Sequence, residues 1–346
     1  MHITKRTTIY DIAKELKIST ATVNRALTGK GRVSDQTKAR VFEAAGRMDF
    51  KPNFLARSLA RRVVRIAVVA FTSFPEFHNE FVRGARDAHL ELYDHNIAVD
   101  FFQYDGGSSN SPEGEKYFGD LLERVAREKY DGALICGKNC AGFELLKRNG
   151  IVVATIVNDI DPDLRKFCVR YNGKVAGRIA VELIYRMGDR GKPVMIATGG
   201  NEKRGIHTEM VAGFMEQLAV QPLKLAAVCC HYDDEGLAYR ETLRLLDECP
   251  DLGSIYVNSF NSRPILSAVC ERGKGGNLCI VTSDVYTELK AYIRDGVVSA
   301  TIFQDQYQQG KLGLRLLYQT IAEDLSVRDT TLISPQVVLS SNLELY

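Results

Sequence analysis

The sequence has no apolar run long enough to cross a membrane. No stretch of its 346 residues approaches the roughly 18 uncharged apolar residues that a spanning helix requires. The opening segment, MHITKRTTIYDIA, also lacks the apolar core of a signal peptide. We therefore expect a cytoplasmic protein without a membrane partner.

Residue patterns that form metal or disulfide sites are also missing. The eight cysteines include no CxxC pair, and the six histidines show no metal-ligand spacing. Most of the cysteines lie in apolar stretches that are typical of buried strands or helices. We expect reduced thiols, no disulfide bonds and no bound metal.

The sequence contains no complete cofactor or catalytic motif. The segment GNEKRGIH, residues 200–207, has the glycine spacing of a phosphate-binding loop, but Ile206 and His207 stand where such a loop requires Lys and Ser or Thr. No GxGxxG motif follows the first predicted strand. We therefore expect neither an enzyme nor a bound cofactor.

Charge is distributed unevenly along the chain. The first 65 residues contain 15 Lys and Arg against 5 Asp and Glu, a net charge of +10. The remaining 281 residues contain 30 basic and 38 acidic side chains, a net charge of −8. A basic head on an acidic body is expected when only the head contacts a polyanion.

Three short helices are predicted in the head. Thr8 opens a helical pattern over residues 8–16, Ser19 opens a second that ends near Leu27, and Ser34 opens a third. Hydroxyl side chains accept hydrogen bonds from the first free backbone amides of a helix. The first two helices, joined by a three-residue turn, form a helix-turn-helix.

The two faces of the second helix differ in character. The inward face and the third helix should supply a small core of Val23, Ala26, Leu27, Val41, Phe42 and Ala45. The opposite face carries only Thr20, Ala21, Asn24 and Arg25. Small residues let a helix approach base edges in a major groove about 12 Å wide, and an arginine can reach guanine. The alternative is the solvated face of an ordinary small bundle.

Several motifs occur in register in this region, namely YDIA, TVNRAL, VS..T...V and KPN. These motifs give the segment from about residue 7 to residue 62 a close resemblance to the N-terminal domain of lactose-repressor (LacI) family transcription regulators. The resemblance implies binding to double-stranded operator DNA, with bases contacted by Thr20, Ala21 and Arg25. It implies phosphate contacts at Ser19, Asn24, Arg32 and Ser34, and further DNA contacts at Thr8, Asn53, Ala56 and Leu59.

One residue of the turn departs from the family pattern. Lys17 stands where the family usually has glycine. If the backbone is left-handed there, a residue other than glycine costs about 1–2 kcal/mol. The departure weakens the turn without excluding it.

The linker KPNFLARSLARR follows the head. Pro52 ends the preceding helix, Asn53 can cap a new one, and Leu55 and Leu59 lie one turn apart. A helix of about eight residues is marginal in water, so we expect partial disorder without a partner. By resemblance this is the hinge helix that folds in the minor groove, with Leu59 wedged between base steps. The alternative is a basic linker with Leu59 packed on the body.

A wedge at the centre of the DNA site requires two copies of the chain. We therefore expect a homodimer on a near-palindromic operator. The final segment, TLISPQVVLSSNLELY, contains no heptad pattern, which favours dimers over coiled-coil tetramers.

Beyond residue 65, apolar runs of five to seven residues alternate with longer amphipathic stretches. The alternation predicts an α/β body with two lobes, each a doubly wound parallel sheet, and a ligand cleft at the carboxyl ends of the strands. The expected boundaries are 1–49 for the helix-turn-helix domain, 50–62 for the hinge and 63–346 for the effector domain. Lobe 1 should comprise about 63–160 and 303–328, and lobe 2 about 161–302 and 329–346.

Short segments of the body, including YDGALICG, VAGFMEQL, YVNSF and SATIFQDQYQQG, resemble the effector domain of the same family, which has the periplasmic sugar-binding-protein fold. The resemblance implies an effector site at Phe77, His78, Asn158, His207, Met210, Asn258, Asp284 and Gln304. An aromatic ring, a carboxylate and three amides suit a small neutral sugar or polyol. Capping of strand ends or loops is the alternative role for each residue.

Two positions in this site depart from the family. Met210 replaces a common arginine, and Tyr171 replaces a common aspartate. The loss of the arginine argues against an anionic effector.

These features predict a ligand-controlled DNA-binding regulator, acting as a repressor. The alternatives are a sugar-binding protein of transport type and a regulator whose effector is not a sugar. The basic head and the missing signal peptide argue against the transport protein.

Overall fold

The computed structural model describes residues 7–28, 31–48, 50, 62–71, 74–104, 112–137, 140–200 and 205–346. The chain divides into two compact units. One, the head, comprises the chain up to Arg62 together with Asp94–Asn96, and the other, the body, comprises Val63–Tyr93 and Ile97–Tyr346.

The head contains the helices α1 (Ile9–Leu16), α2 (Thr20–Thr28) and α3 (Asp35–Arg47). Hydroxyl residues precede all three. The side chains of Ser19 and Ser34 accept hydrogen bonds from backbone amides of the following turn, at 3.0 and 3.3 Å. At Thr8, the backbone N–H and the hydroxyl both donate to Oδ2 of Asp11, at 2.8 and 2.6 Å. The helix starts are therefore fixed by local hydrogen bonds.

The core of the head consists of Ile12, Ala13, Val23, Ala26, Val41, Ala44 and Ala45. The prediction that Phe42 belongs to this core is wrong, because its side chain is 56% exposed. Residues three and four positions apart share one face of a helix, whereas neighbours in sequence lie about 100° apart. Ala44 therefore takes the inward position beside Val41 and Ala45.

Lys17 ends α1 in the left-handed conformation, with φ 55° and ψ 42°. Its backbone N–H donates to the carbonyl of Ala13, which completes the last turn. The side chain is strained there because Cβ crowds the following carbonyl oxygen.

We expect Lys17→Gly to stabilise the head by about 0.5–1 kcal/mol, since relief of the left-handed strain exceeds the entropy that glycine gains in the unfolded chain. Hydrogen exchange of head amides in the full-length protein should slow by roughly two- to fivefold. Lys14→Gly, in the interior of α1, is the control and should cost about 1 kcal/mol. Faster exchange in Lys17→Gly would contradict the strain.

The body strands are β1 (Val64–Phe71), β2 (Ile97–Tyr104), β3 (Gly132–Ile135), β4 (Val152–Ile156), β5 (Phe167–Tyr171), β6 (Val194–Thr198), β7 (Leu225–Cys230), β8 (Ser254–Val257), β9 (Cys279–Ser283), β10 (Ala300–Phe303), β11 (Thr330–Ile333) and β12 (Gln336–Val338). The helices are α4 (Pro75–Glu91), α5 (Pro112–Arg127), α6 (Gly142–Arg148), α7 (Gly173–Met187), α8 (Ile206–Leu218), α9 (Glu235–Glu248), α10 (Arg263–Glu271), α11 (Thr287–Arg294) and α12 (Gln306–Glu323). Short 3-10 helices occur at Tyr93–His95, Pro162–Leu164 and Ser340–Leu345.

The strands form two six-stranded sheets, in the orders β11-β5-β4-β3-β1-β2 and β12-β10-β9-β8-β6-β7. Neighbouring strands run parallel, except that β12 is antiparallel to β10. The predicted two-lobed α/β architecture is confirmed. Lobe 1 contains the first sheet and lobe 2 the second.

The lobe boundaries differ from those predicted from chain order. β5 pairs with β4, and β11 pairs with β5. Both β5 and β11 therefore belong to lobe 1. Residues 161–171 and 329–333 therefore move from lobe 2 to lobe 1. The chain passes between the lobes after β5, between β10 and α12, and between β11 and β12.

Close packing between α7 and α8 fixes the part of lobe 2 that follows the first passage of the chain between the lobes, after β5. α7 and α8 approach at Gly177 and Gly213, where an added Cβ would lie 2.0 and 1.9 Å from a backbone carbonyl oxygen of the facing helix. Only glycine permits this approach. The contact sets the position of Met210, whose carbonyl is the one that faces Gly177.

All eight cysteines are free thiols. Within the described ranges, no helix has the length and apolar character that a membrane crossing demands.

Candidate nucleic-acid interface and effector site

The polar face of α2 is open to solvent. Ala21, Asn24 and Arg25 are exposed, and Thr20 is half-buried at the start of the helix. The face combines two small residues with one amide and one guanidinium group. It has the shape and hydrogen-bonding groups needed to meet base edges in a major groove.

Gly31 lies against the side chain of Arg25. Its φ of +99° suits glycine, and an added Cβ would lie 3.0 Å from Cδ of Arg25. The glycine therefore leaves room for the aliphatic part of the arginine.

The other predicted DNA contacts lie at helix starts and in the loop before α3. Thr8, Ser19 and Ser34 directly precede α1, α2 and α3, and Arg32 is exposed. Backbone amides and hydroxyls at helix N-termini can bind phosphate. Asn53, Ala56 and Leu59 lie outside the described residues.

Residues that follow strands of one lobe contact the other lobe. Asn158, after β4, accepts a hydrogen bond from the backbone N–H of Ile206 at 3.3 Å. Tyr171, at the end of β5, donates to Sδ of Met210 at 3.1 Å. These contacts place the carboxyl ends of the strands at the interlobe cleft, where α/β proteins bind ligands.

Asn258 and His207 form a connected pair in lobe 2. Oδ1 of Asn258 accepts from the backbone N–H of Gly199 at 3.2 Å, and its Nδ2 donates to the carbonyl of His207 at 3.2 Å. Nδ1 of His207 lies 3.0 Å from the carbonyl oxygen of Asn258. Asn258 is fully buried, so its amide positions the histidine ring.

Phe77 and His78 are buried in the first turn of α4. The ring of Phe77 lies 5.5 Å from that of Phe260, which also contacts Phe74 at 5.8 Å and Tyr286 at 5.0 Å. Nδ1 of His78 donates to the carbonyl of Phe74 at 3.0 Å, and burial lowers the pKa of His78 to about 4. Phe260 of lobe 2 thus joins the two lobes through aromatic contacts.

Asp284 and Gln304 bind each other. Oδ2 of Asp284 accepts from Nε2 of Gln304 at 2.6 Å, and Oδ1 accepts from the backbone N–H of Gln304 at 3.1 Å and from Nε2 of Gln306 at 2.7 Å. Asp284 is fully buried. Burial raises its pKa to about 7, although the three hydrogen bonds act in the opposite direction.

Met210 is fully buried, and its sulfur accepts from Tyr171 at 3.1 Å and from Tyr256 at 3.3 Å. The two departures from the family pattern, Met210 and Tyr171, therefore contact each other across the lobes. The contact between them is neutral.

Two interlobe contacts were not predicted from the sequence. Oε2 of Glu76 accepts from the backbone N–H and the hydroxyl of Thr287, both at 2.9 Å. Arg170 and Glu209 form an ion pair at 2.6 Å. No local pattern distinguishes these residues from ordinary surface charges, because their partners lie far away in the sequence.

Phe260 was missed for a different reason. It lies in the segment YVNSF, three residues after the end of β8, where an apolar residue is typical of a core. Only the position of α4 makes it an interlobe residue.

The described residues contain no group of three or more His, Cys, Asp or Glu side chains arranged to hold a metal ion. The polar groups at the strand ends are instead arranged as hydrogen-bond donors and acceptors. Such an arrangement recognises and orients a small ligand.

A three-helix head with an exposed polar recognition face, and a two-lobed α/β body with polar groups at its strand ends, define a DNA-binding regulatory protein with a ligand-binding body. Residues 8–53 match the lacI family of bacterial regulatory proteins, and residues 66–324 match the periplasmic binding protein domain. The chain therefore belongs to the periplasmic binding protein domain family over its body, and its head matches the lacI family of bacterial regulatory proteins.

Similarity to individual proteins extends over nearly the whole chain. Catabolite control protein A of Staphylococcus aureus (strain MRSA252) is 23% identical over 344 residues, which is 97% of each chain. Among solved structures, GanP, a glucose-galactose binding protein from Geobacillus stearothermophilus, superposes with a TM-score of 0.69 at 18% identity, over 82% of this chain and 99% of that one. AraP, an arabinose binding protein from the same organism, gives a TM-score of 0.69 at 19% identity, with the same coverage.

The raised pKa of Asp284 has a measurable consequence for stability. Its folded value of about 7 exceeds the unfolded value of about 3.9, so the folded state holds an extra proton between them and stability falls as pH rises toward 7. We expect Asp284→Asn to remove this dependence. As the pH rises from about 5 to about 8, the free energy of unfolding measured in urea should fall by about 2–3 kcal/mol more in the wild type than in the variant.

Asp120→Asn is the control for this prediction, because Asp120 is an exposed carboxylate on α5. The free energy of unfolding of this control should change between the two pH values as much as that of the wild type. If Asp284→Asn also follows it, the carboxylate of Asp284 does not titrate in this range.

Proposed function

We propose that the protein is a transcriptional repressor that binds a near-palindromic operator as a homodimer. A small polyhydroxy effector of the sugar or polyol class binds in the interlobe cleft and controls DNA affinity. The protein acts in the cytoplasm and is not an enzyme. The observation that carries the proposal is the exposed face of α2, with Thr20, Ala21, Asn24 and Arg25, in a head of net charge +10.

DNA binding is supported by the chemistry of the α2 face. Thr20 and Ala21 are small enough to let the helix backbone approach the bases, and Arg25 supplies a bidentate donor for guanine. Ser19, Arg32 and Ser34 flank this face with phosphate-binding groups. The basic charge of the head supplies affinity that does not depend on sequence.

Control by an effector is supported by the connection between head and body in the sequence. The linker at 50–62 joins DNA-binding helices to lobes that a ligand can rearrange. By the resemblance, Asn53, Ala56 and Leu59 contact the minor groove, and the spacing of two linkers in a dimer decides whether both can do so. Coupling is reciprocal, so an effector that weakens operator binding tenfold is bound tenfold more weakly by the DNA complex.

The sugar or polyol class is supported by the fold of the body. Proteins with this fold include GanP and AraP, whose names state that they bind glucose and galactose, and arabinose. Phe77, His78, Asn158, His207, Met210, Asn258, Asp284 and Gln304 remain the proposed effector residues. Because Asp284 and Gln304 bind each other, we assign them the role of shaping the cleft wall.

Salt-dependent retention on DNA tests the function directly. We expect the full-length protein to bind random duplex DNA at low salt and to lose affinity by roughly 10³–10⁵ between 50 and 200 mM salt if it makes about 6–10 phosphate contacts. A sugar-binding protein of transport type would not be retained at low salt. Retention that does not respond to salt would also contradict the proposal.

Arg25→Ala tests the recognition helix. At an operator selected from random DNA, the variant should lose about 1–3 kcal/mol of binding free energy, which is roughly a 5- to 150-fold loss of affinity. Its affinity for unrelated DNA should fall much less. Arg40→Ala is the matched control, because Arg40 is an exposed arginine of α3 and does not belong to the polar face of α2. Its loss of affinity should be similar for the operator and for unrelated DNA. Equal losses at both sequences for Arg25→Ala would remove the base-reading role.

A further inference from the structure

Polar side chains converge where β6, β7 and β8 end in lobe 2. Nε2 of His207 lies 3.8 Å from Oδ2 of Asp233, and the hydroxyl of Ser259 donates to Oδ1 of Asp233 at 2.5 Å. His231 interacts electrostatically with both His207 and Asp233. We name the cluster of His207, His231, Asp233 and Ser259 the His–Asp pocket.

The backbone of Asn258 sets the hydrogen positions on His207. Its carbonyl oxygen lies 3.0 Å from Nδ1, and a carbonyl oxygen only accepts, so Nδ1 carries the hydrogen. In the neutral ring, the lone pair of Nε2 then faces Oδ2 of Asp233 across 3.8 Å. Two acceptors thus face each other, and a donor atom at about 2.8 Å from each fits between them.

His231 adds further unmet hydrogen-bonding capacity. Its side chain is fully buried, and neither ring nitrogen has a hydrogen-bond partner among the residues that the structure describes. Burial lowers the pKa of His231 to about 4, so the ring is neutral and presents one donor and one acceptor. Burying both without a partner costs free energy, so the ring is poised next to the carboxylate of Asp233 without being satisfied by the protein.

The charge of the pocket is negative. In the described part of the chain, the carboxylates of Asp233 and Asp234 place negative charge near His231, and His207 also interacts with it electrostatically. Ser259 donates to Oδ1 of Asp233, which leaves Oδ2 facing Nε2 of His207.

The backbone around the pocket is adapted to this arrangement. Tyr232 and Asp233 are consecutive left-handed residues, with φ of 53° and 58°. At Gly199, an added Cβ would lie 2.4 Å from Oδ1 of Asp233 and 2.8 Å from Cε1 of His207. Strained backbone of this kind persists where the surrounding structure holds a site together.

We propose that the His–Asp pocket binds a primary ammonium group of the effector. An ammonium group carries one positive charge and three donors, which match the carboxylate of Asp233 and the acceptor nitrogen of His207. A carboxylate or phosphate would bring acceptors against Asp233, and a neutral hydroxyl would leave the charge unbalanced. The inference rests on the proposed function, and it replaces the neutral sugar predicted from the sequence with an amine-bearing polyhydroxy compound.

The probe for this site is methylammonium chloride, compared with tetramethylammonium chloride at equal concentration. Long-range ¹H–¹⁵N spectra of the full-length protein at about pH 8, where ordinary imidazoles are neutral, report on the histidine rings. We expect methylammonium to shift the ring signals of His207 and His231 saturably. Tetramethylammonium has the same charge but no N–H donor, and it should leave them unchanged.

Two variants test the role of Asp233. Asp233→Asn removes the charge but keeps an oxygen for the hydroxyl of Ser259, and it should weaken methylammonium binding by roughly tenfold or more. Asp251→Asn is the matched control, since Asp251 is an exposed carboxylate beyond the end of α9 and is not among the charges that act on His231. The control should change binding by less than about twofold.

Gly199→Ala provides a second route if Asp233→Asn does not fold. Its methyl group displaces the carboxylate of Asp233 and should abolish the response. An absent or unsaturable response in the wild type, equal responses to both cations, or a response that survives both variants would overturn the proposal.

Retention of the same wild-type preparation on duplex DNA separates the two hypotheses. If the protein binds DNA with salt dependence but methylammonium has no effect, the ammonium site is wrong and the regulator remains. If DNA is not bound, the regulator is wrong whatever the pocket binds.

Discussion

The body depends on a buried carboxylate at the point where the chain returns from lobe 2 to lobe 1. Asp284 accepts three hydrogen bonds from Gln304 and Gln306, and its own carbonyl accepts from the hydroxyl of Thr301 at 2.5 Å. A buried carboxylate is tolerated only with such partners. These bonds fix the end of β9 against the start of α12, and thereby the wall of the cleft.

Asp284 is satisfied internally, but in the described part of the chain Oε1 of Gln304 and both ring nitrogens of His231 are buried without a hydrogen-bond partner. The acceptors that we propose for the ligand lie at the strand ends of lobe 2, on His207 and Asp233. The neutral contact of Met210 with Tyr171 and Tyr256 closes the adjoining space without charge. The position of open acceptors, rather than the list of polar residues, determines what kind of ligand the body can hold.

In the head, one packing requirement produces both the fold and the interface. Val23 and Ala26 complete the small core with α3, so the remaining face of α2 must lie outward. That face carries small and polar residues, and an outward face without large apolar groups remains soluble and accessible to DNA. The left-handed Lys17 sets the turn that orients this helix.

The sequence by itself determined the helices of the head, their starting residues, the recognition face, and the strand–helix alternation of the body. These features depend on periodicity and on hydrogen bonds between residues a few positions apart, which a local pattern reports. Only the tertiary structure decided that β5 and β11 belong to lobe 1, that Phe42 is exposed, that Phe260 joins the lobes, and that Asp284 binds Gln304. Those outcomes depend on contacts between residues distant in sequence, and the free energy of such contacts is set by the packing of whole elements.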